Sequence, residues 1–515
     1  MKVIRLILAV IVLLLSACGS TPTTPPDTPT PTPTSTSPPT ATITPSPTPA
    51  PTLTPTTTST PAPTASPTAT PSPTPTLVPI PAEVSAWLIA NAIPFDTPLP
   101  GQGCDDLRSL LDTISDARIV ALGEATHGTS EFFTMKHRIF ECLVQEKGFN
   151  ILAMELGDPD LSRIDSYVQT GQDVLEAALS GAGNHLWMNT REVAQLVAWM
   201  RAHNAHPGNT HHVSLRGFDV TFSPTALQEV VEYVSAVDPS RGQRVWDDLA
   251  CFRQGMADRE NYPHMDAGIL ARCQKGVEAV HDLLLAQAET YRAVSSPEAY
   301  SAAVAAARTL MQNEQLLQLA DDYVGAMNAR DKFMAENAAW LLEQAGPRAK
   351  IVLWAHNGHV QTSSVVLPLH EYPPLPPEEA ARTFTPMGVH LRAKFRDALV
   401  VIGFSFHSGH FHAHPGKGLV TLTSPKLMEF RAPPPLPDNH EAYLYPPGLD
   451  RYYLDLRTLP DEGVIADWFG TARHFRTIGS IYDAGDPEVS SRLLRLPEAF
   501  DIVIGFRETT ASRMR

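Results

Sequence analysis

The chain has 515 residues, with 39 Lys and Arg against 55 Asp and Glu, and a formal net charge of −16 at pH 7. That acidic surplus excludes the basic footprint expected of a nucleic-acid partner. Its length allows one large domain or two ordinary ones once the unusual first eighty residues are set aside.

Lys2 and Arg5 precede an apolar run, Leu6 to Leu15, and then Leu15-Ser16-Ala17-Cys18. This order of positive start, short apolar stretch and small residues is that of a secretory signal. Its end resembles a bacterial lipobox, which implies that within the signal segment 1–18 cleavage falls before Cys18 and that Cys18 becomes the lipidated first residue. The expected location is therefore extracytoplasmic, anchored to the cell membrane by acyl chains. Residues 19–81 are almost wholly Pro, Thr, Ser and Ala, with Asp27 as the single charge. Such a segment cannot bury a core and reads as a disordered linker. At roughly 3.1 Å per residue in polyproline II it reaches up to ~190 Å. Residues 82–515 remain for the folded part.

Six short apolar runs read as strands in chain order: Arg118–Leu122, Ile151–Glu155, Val213–Asp219, Lys350–Trp354, Leu399–Phe404 and Ile502–Phe506. Most are continuous rather than alternating, as in a parallel sheet covered on both faces. Between them, Phe132, Phe133, Ile139, Phe140, Leu143 and Val144 form one helical stripe that Gly148 is placed to end. Val193, Leu196, Val197 and Met200 mark another helix. From Pro224 to Gly346 the pattern turns purely helical, including Ser301–Asp321 and Arg330–Glu343, and predicts an inserted helical subdomain at about 224–346. From His407 to Ala499 loops are expected to dominate. The fold class is α/β, a largely parallel sheet flanked by helices. Cys104, Cys142, Cys251 and Cys273 permit two disulfides in three pairings. Cys251–Cys273 is favoured, since the two flank one short stretch. For Cys142, on the apolar face of its helix, a buried free thiol is an equal alternative.

The chemistry collects where the strands stop. The first ends at Gly123-Glu124-Ala125-Thr126-His127-Gly128, the second at Glu155, the third at Asp219 and the fourth at His356-Asn357-Gly358-His359. In a parallel sheet these ends share one edge, where ligands bind. The helix after the first turn is expected to aim free N–H groups at the same place. A histidine beside a carboxylate can take a proton from water, and a second histidine can stabilise the oxyanion of an attacked ester. There is no Gly-x-Ser-x-Gly elbow and no Ser-x-x-Lys to offer a serine nucleophile. Taken singly, Glu124, Glu155 and Asp219 could be helix caps, and His127 a loop histidine. Trp187, Trp354, Phe404 and Phe406 could shape a pocket at this edge, with core packing the better role for Trp354. His407, His410, His412 and His414 have metal-compatible spacing but read as solvated histidines of a Gly-rich loop.

At this point the motifs resemble the erythromycin esterase family. They are Leu122-Gly123-Glu124-Ala125-Thr126-His127-Gly128 with Glu131, then Lys136 and Arg138, then Ala153-Met154-Glu155, then Arg191-Glu192 with Trp199 and Asn204. Arg330-Asp331-Lys332 with Met334-Ala335-Glu336-Asn337, Trp354-Ala355-His356-Asn357-Gly358-His359-Val360 and Met387-Gly388 follow in order. The resemblance runs from about Asp105 to Thr510. It implies an α/β fold with a helical insertion, hydrolysis of an ester or macrolide lactone, His127 as base, and Glu124, Glu155, His356 and His359 as its catalytic partners. Lys136 stands where some members carry arginine. Glu131, Lys136, Arg138, Trp187, Asp219 and Phe406 are the expected substrate-binding residues. No cofactor is implied, and metal dependence is left open.

Three functions fit these residues. They are an extracytoplasmic hydrolase using His-activated water on a small-molecule ester or lactone, a metal-dependent hydrolase using the same His/Glu cluster, and a non-catalytic lipoprotein that captures a solute. The export signal and stalk depart from macrolide-inactivating members, which are usually cytosolic.

Overall fold

The computed structural model describes residues 79–172, 174–180, 187–220, 223–366, 382–416 and 427–515. The expected signal, Cys18 and nearly all of the linker lie outside these residues.

The six expected strands are all present: β2 (Ile119–Leu122), β3 (Ile151–Met154), β4 (Ser214–Gly217), β5 (Ile351–Trp354), β8 (Leu399–Pro415) and β14 (Ile502–Thr509). They form one parallel block in the order β14-β8-β2-β5-β3-β4. Two further strands extend it antiparallel beyond β14, β10 (Arg451–Asp455) and then β1 (Ile93–Pro94).

Within β2 the side chains alternate between two cores. Val120 and Leu122 join the cluster of Phe132, Phe133 and Leu152, whereas Ile119 and Ala121 join that of Met334, Leu353 and Val401. A side chain buried on either face contributes about 1.5–3 kcal/mol, so continuous apolar runs are what a doubly covered sheet selects. The helix Ser130–Lys147 covers the first face and ends at Gly148, φ 71°. Tyr323–Gln344 and Met387–Phe395 cover the second.

The region from Pro224 to Gln344 is helical, as expected, with Pro297–Gln318 and Tyr323–Gln344 as its longest helices. It holds its own apolar cluster around Val230, Phe252, Val280 and Leu310. Two disulfides are present, Cys104–Cys142 and Cys251–Cys273, so the favoured pair forms and Cys142 is not a free thiol.

The expectation of loops after His407 fails over several stretches. β8 runs on to Pro415, paired with β9 (Met428–Ala432) and β12 (Ile481–Tyr482). β11 (Arg473–Arg476) and β13 (Ser491–Leu494) pair with each other. Before His407, β6 (Val365–Val366) and β7 (Thr383–Phe384) form a separate pair. The His407–His414 stretch is thus strand rather than loop. Phe411 and Ala413 are buried, while His410, His412 and His414 between and beside them are not. Alternation of period two makes the strand, and the histidines occupy its more exposed face.

Candidate active site

The turn after β2 is built to hold two side chains. Glu124 is 1% exposed, and its two oxygens serve three donors. Oε1 faces His127 Nδ1 at 2.6 Å. Oε2 accepts from Lys136 Nζ at 2.7 Å and from Trp354 Nε1 at 3.0 Å. Lys136 reaches back from the helix Ser130–Lys147 and lies 4.6 Å over the Trp354 ring. Burial lowers its pKa to about 8, with Glu124 opposing the fall. A carboxylate at Nδ1 fixes the His127 tautomer, with the proton on Nδ1 and a lone pair on Nε2.

The backbone of this turn is clamped from outside the sheet edge. The Gly128 carbonyl accepts N–H bonds from His412 at 3.0 Å and Ser512 at 2.9 Å. A Cβ on Gly128 would sit 2.0 Å from the His412 carbonyl oxygen, so this approach requires glycine.

A second turn follows β5. The Asn357 side chain brackets Phe404 of β8, donating to its carbonyl at 2.7 Å and accepting its N–H at 3.1 Å. Its backbone N–H donates to the Glu124 carbonyl at 2.8 Å, which ties the two turns together. His356 caps the short helix Asn357–Val360, with Nδ1 accepting the Gly358 N–H at 3.2 Å. The proton of a neutral His356 therefore resides on Nε2, and that buried atom has no hydrogen-bond partner among the described residues. The His127 and His356 rings stand 5.1 Å apart. Burial, with His127 the next contribution, holds the His356 pKa well below the usual histidine range and keeps the ring neutral.

Glu155, at the end of β3, joins the second turn to the helical layer. Its Oε2 accepts the His356 backbone N–H at 2.8 Å. Its Oε1 lies 3.3 Å from both His359 Nε2 and an Arg330 nitrogen. Burial works to raise the Glu155 pKa, but His359, His127 and Arg330 together hold it well below the carboxylate range. Arg330 forks onto Asp219 at 2.8 and 2.7 Å. His359 Nδ1 meets Asp331 at 2.8 Å.

The structure thus brings Glu124, His127, Glu155, His356, His359, Lys136 and Asp219 to one edge. Three expected substrate contacts are placed elsewhere. Arg138, two residues and roughly 200° around the helix from Lys136, points away from this edge and binds Asp106 and the carbonyls of Thr97 and Gly103. Glu131 accepts the Thr510 N–H and hydroxyl, both at 2.8 Å. Phe406 is fully buried against Phe132 and Phe411. The helix N-terminus is also occupied, since the Ser130 N–H donates to the Thr510 carbonyl at 2.9 Å. The Trp187 side chain lies outside what the structure describes. Among the described residues no group of three His, Cys, Asp or Glu side chains is arranged to hold a metal ion.

Arg330 and Asp331 belong to the site, yet reading the strand ends missed them. They come from the helix Tyr323–Gln344. The available signal was the Arg330-Asp331-Lys332 motif of the family resemblance, which carried no role for either residue.

A family model described as erythromycin esterase matches residues 144–509. Erythromycin esterase type II of Escherichia coli is 22% identical over 348 residues, 63% of this chain and 77% of its own length. The putative hydrolase YbfO of Bacillus subtilis strain 168 is 25% identical over 295 residues, 53% of this chain and 63% of its own. A crystal structure from Bacillus cereus superposes with a TM-score of 0.70 at 25% identity, covering 84% of this chain and 98% of that one. A mutant of erythromycin esterase EreC in its open conformation gives a TM-score of 0.55 at 18% identity, covering 79% and 94%.

Proposed function

The chain belongs to the erythromycin esterase family, and from that footing we propose that it is an extracytoplasmic hydrolase whose His127 activates water for attack on an ester or lactone. The observation that carries this reading is the opposed protonation of two neighbouring histidines. His127 Nδ1–H donates a hydrogen bond to Glu124 at 2.6 Å, so its Nε2 is an acceptor. His356 spends Nδ1 as an acceptor at 3.2 Å, so its Nε2 is a donor. With the rings 5.1 Å apart, one histidine takes the proton of a water while the other donates to the carbonyl oxygen that becomes an oxyanion.

Charge balance supports the same direction. Glu124, Glu155, Asp219 and Asp331 face Lys136, Arg330 and a protonated His359. Arg492 acts on His356 as a further positive charge, and Glu124 is the carboxylate placed beside His127 to balance a proton there. Glu124 thereby stabilises the imidazolium that forms when His127 deprotonates water. His356, held neutral by burial, is available as a donor without adding a second positive charge beside it.

Export and anchoring are part of the proposal. They are supported by the signal and lipobox at Cys18 and by two disulfides, which persist in oxidising compartments. The substrate is a small molecule carrying an ester. The family name makes macrolide lactones the first candidates, and simple aryl esters the second.

The test is hydrolysis of both ester classes by the full-length protein, with and without a chelator, beside His127→Ala and His356→Ala. We expect turnover that survives chelation, a fall of about 10²–10⁴-fold in kcat for His127→Ala, and a fall of about 10²–10³-fold for His356→Ala. Activity lost on chelation and restored by metal would replace this mechanism with the metal-dependent one. Saturable binding with no turnover of either class would make the protein a solute-binding lipoprotein.

A further inference from the structure

We propose that Asp331 is a positioning residue of the site, acting through His359 to hold Glu155 and, through Glu155, the His356 backbone. Assigning that chain a role in turnover rests on the hydrolase reading above.

Asp331 is fully buried. Its Oδ1 accepts from His359 Nδ1 at 2.8 Å and from the Met387 N–H at 2.8 Å. The second contact depends on close packing of the helix Met387–Phe395, where a Cβ on Gly388 would lie 2.0 Å from the Val360 carbonyl oxygen. A buried carboxylate that ends on a neutral partner is costly, so the site needs a cation at this point.

His359 is that cation only while both ring nitrogens carry protons. In that state Nδ1 donates to Asp331 at 2.8 Å and Nε2 forms an ion pair with Glu155 Oε1 at 3.3 Å. The same Nε2 lies within hydrogen-bond distance of Arg330 Nη1, at 3.3 Å. A neutral His359 would accept from Arg330 there and release Glu155. The protonation state therefore selects the partner, and Asp331 selects the protonation state.

The charged groups facing His359 are Asp331 and Arg330 from one helix and Glu155 from the end of β3, with the neutral His356 beyond Glu155. Arg330 is itself neutralised by Asp219. Burial alone would lower the His359 pKa, but Asp331 first and Glu155 second raise it to about 10. The grip on Glu155 continues to the site. Its other oxygen takes the His356 N–H at 2.8 Å and fixes the entry to the helix that carries both histidines.

Asp331→Asn keeps the shape and an acceptor for the Met387 N–H but removes the charge. The measurement is the ring titration of His359 by NMR in the full-length protein with labelled histidine, assigned with His359→Gln. Wild-type His359 is expected to stay protonated beyond pH 8. In Asp331→Asn its midpoint falls by about 1–3 units, the His356 amide proton moves upfield, and Asp331→Glu recovers part of both shifts. On any ester that is turned over, kcat falls in Asp331→Asn while KM holds.

An unchanged His359 midpoint, an unmoved His356 amide, or an unchanged kcat in the folded variant would overturn the proposal. So would a wild-type His359 that titrates at or below 6.5, a result that needs no variant. The titration needs no substrate, so a protein that hydrolyses no ester would refute the hydrolase reading and leave the link between Asp331 and His359 to be judged on its own.

Discussion

The residue that concentrates most interactions is Glu124, whose two oxygens face an imidazole, an ammonium and an indole N–H. Its neighbours are buried, so protonation states carry stability as well as chemistry. His359 is the clearest case. Its folded pKa is raised from 6.5 to about 10, so its protonation stabilises the fold fully below pH 6.5. That contribution is lost as the pH rises through about 10. Thermal unfolding of wild type and His359→Gln should therefore differ most below pH 6.5, with the gap narrowing steadily to pH 10. A gap that is constant or widens with pH would contradict the assigned charge. At this scale the sequence was informative about His127, Glu124, Glu155, His356 and His359, because each ends a legible strand and parallel strands share an edge. Arg330 and Asp331 were legible only as a motif of the family resemblance, with no role assigned, since a mid-helix pair shows its role only once the helix is docked. Arg138 misled because its charge is satisfied locally by Asp106.

At the scale of elements, the site depends on pieces that are not strand ends at all. The continuation of β8 past Phe406 supplies His412, and the segment after β14 supplies Thr510, Ser512 and Arg513. Together they cap the helices Ser130–Lys147 and Arg191–Ala205 and close over the Gly128 carbonyl. Gly128→Ala places a methyl group against the His412 backbone. It should destabilise the protein by about 1–3 kcal/mol and depress hydrolysis further than that loss of stability explains, because the clash displaces the turn that carries His127. Wild-type kcat/KM in Gly128→Ala would show that the clamp is dispensable. The β8 continuation was read as loop because its exposed positions are histidines and Gly409 interrupts it. The alternation of Phe411 and Ala413 was the signal present.

At the scale of the molecule, six apolar runs were enough to fix a parallel sheet with helices on both faces. Its antiparallel edge was not legible, because Arg451–Asp455 sits among proline-rich turns. The two disulfides tie peripheral elements down at separate places. Cys104–Cys142 holds the segment before β2 against the helix Ser130–Lys147, and Cys251–Cys273 lies in the helical layer. Such cross-links persist in oxidising compartments, the environment that the proposed export implies. If the chain is lipid-anchored at Cys18, the wild-type protein partitions into detergent on phase separation, and Cys18→Ser appears in the aqueous phase with unchanged hydrolysis. Equal partitioning of the two would remove the anchor from the account.

The central claim is that His127 takes the proton of the attacking water. It is tested most directly by restoring that base from solution. His127→Gly leaves space where the ring stood, and added imidazole can occupy it. We expect ester hydrolysis to fall about 10²–10⁴-fold in the folded variant and to recover with saturable dependence on imidazole, above the rate of imidazole alone. Wild-type turnover in the variant, or a loss that imidazole does not rescue at any concentration, would contradict the claim.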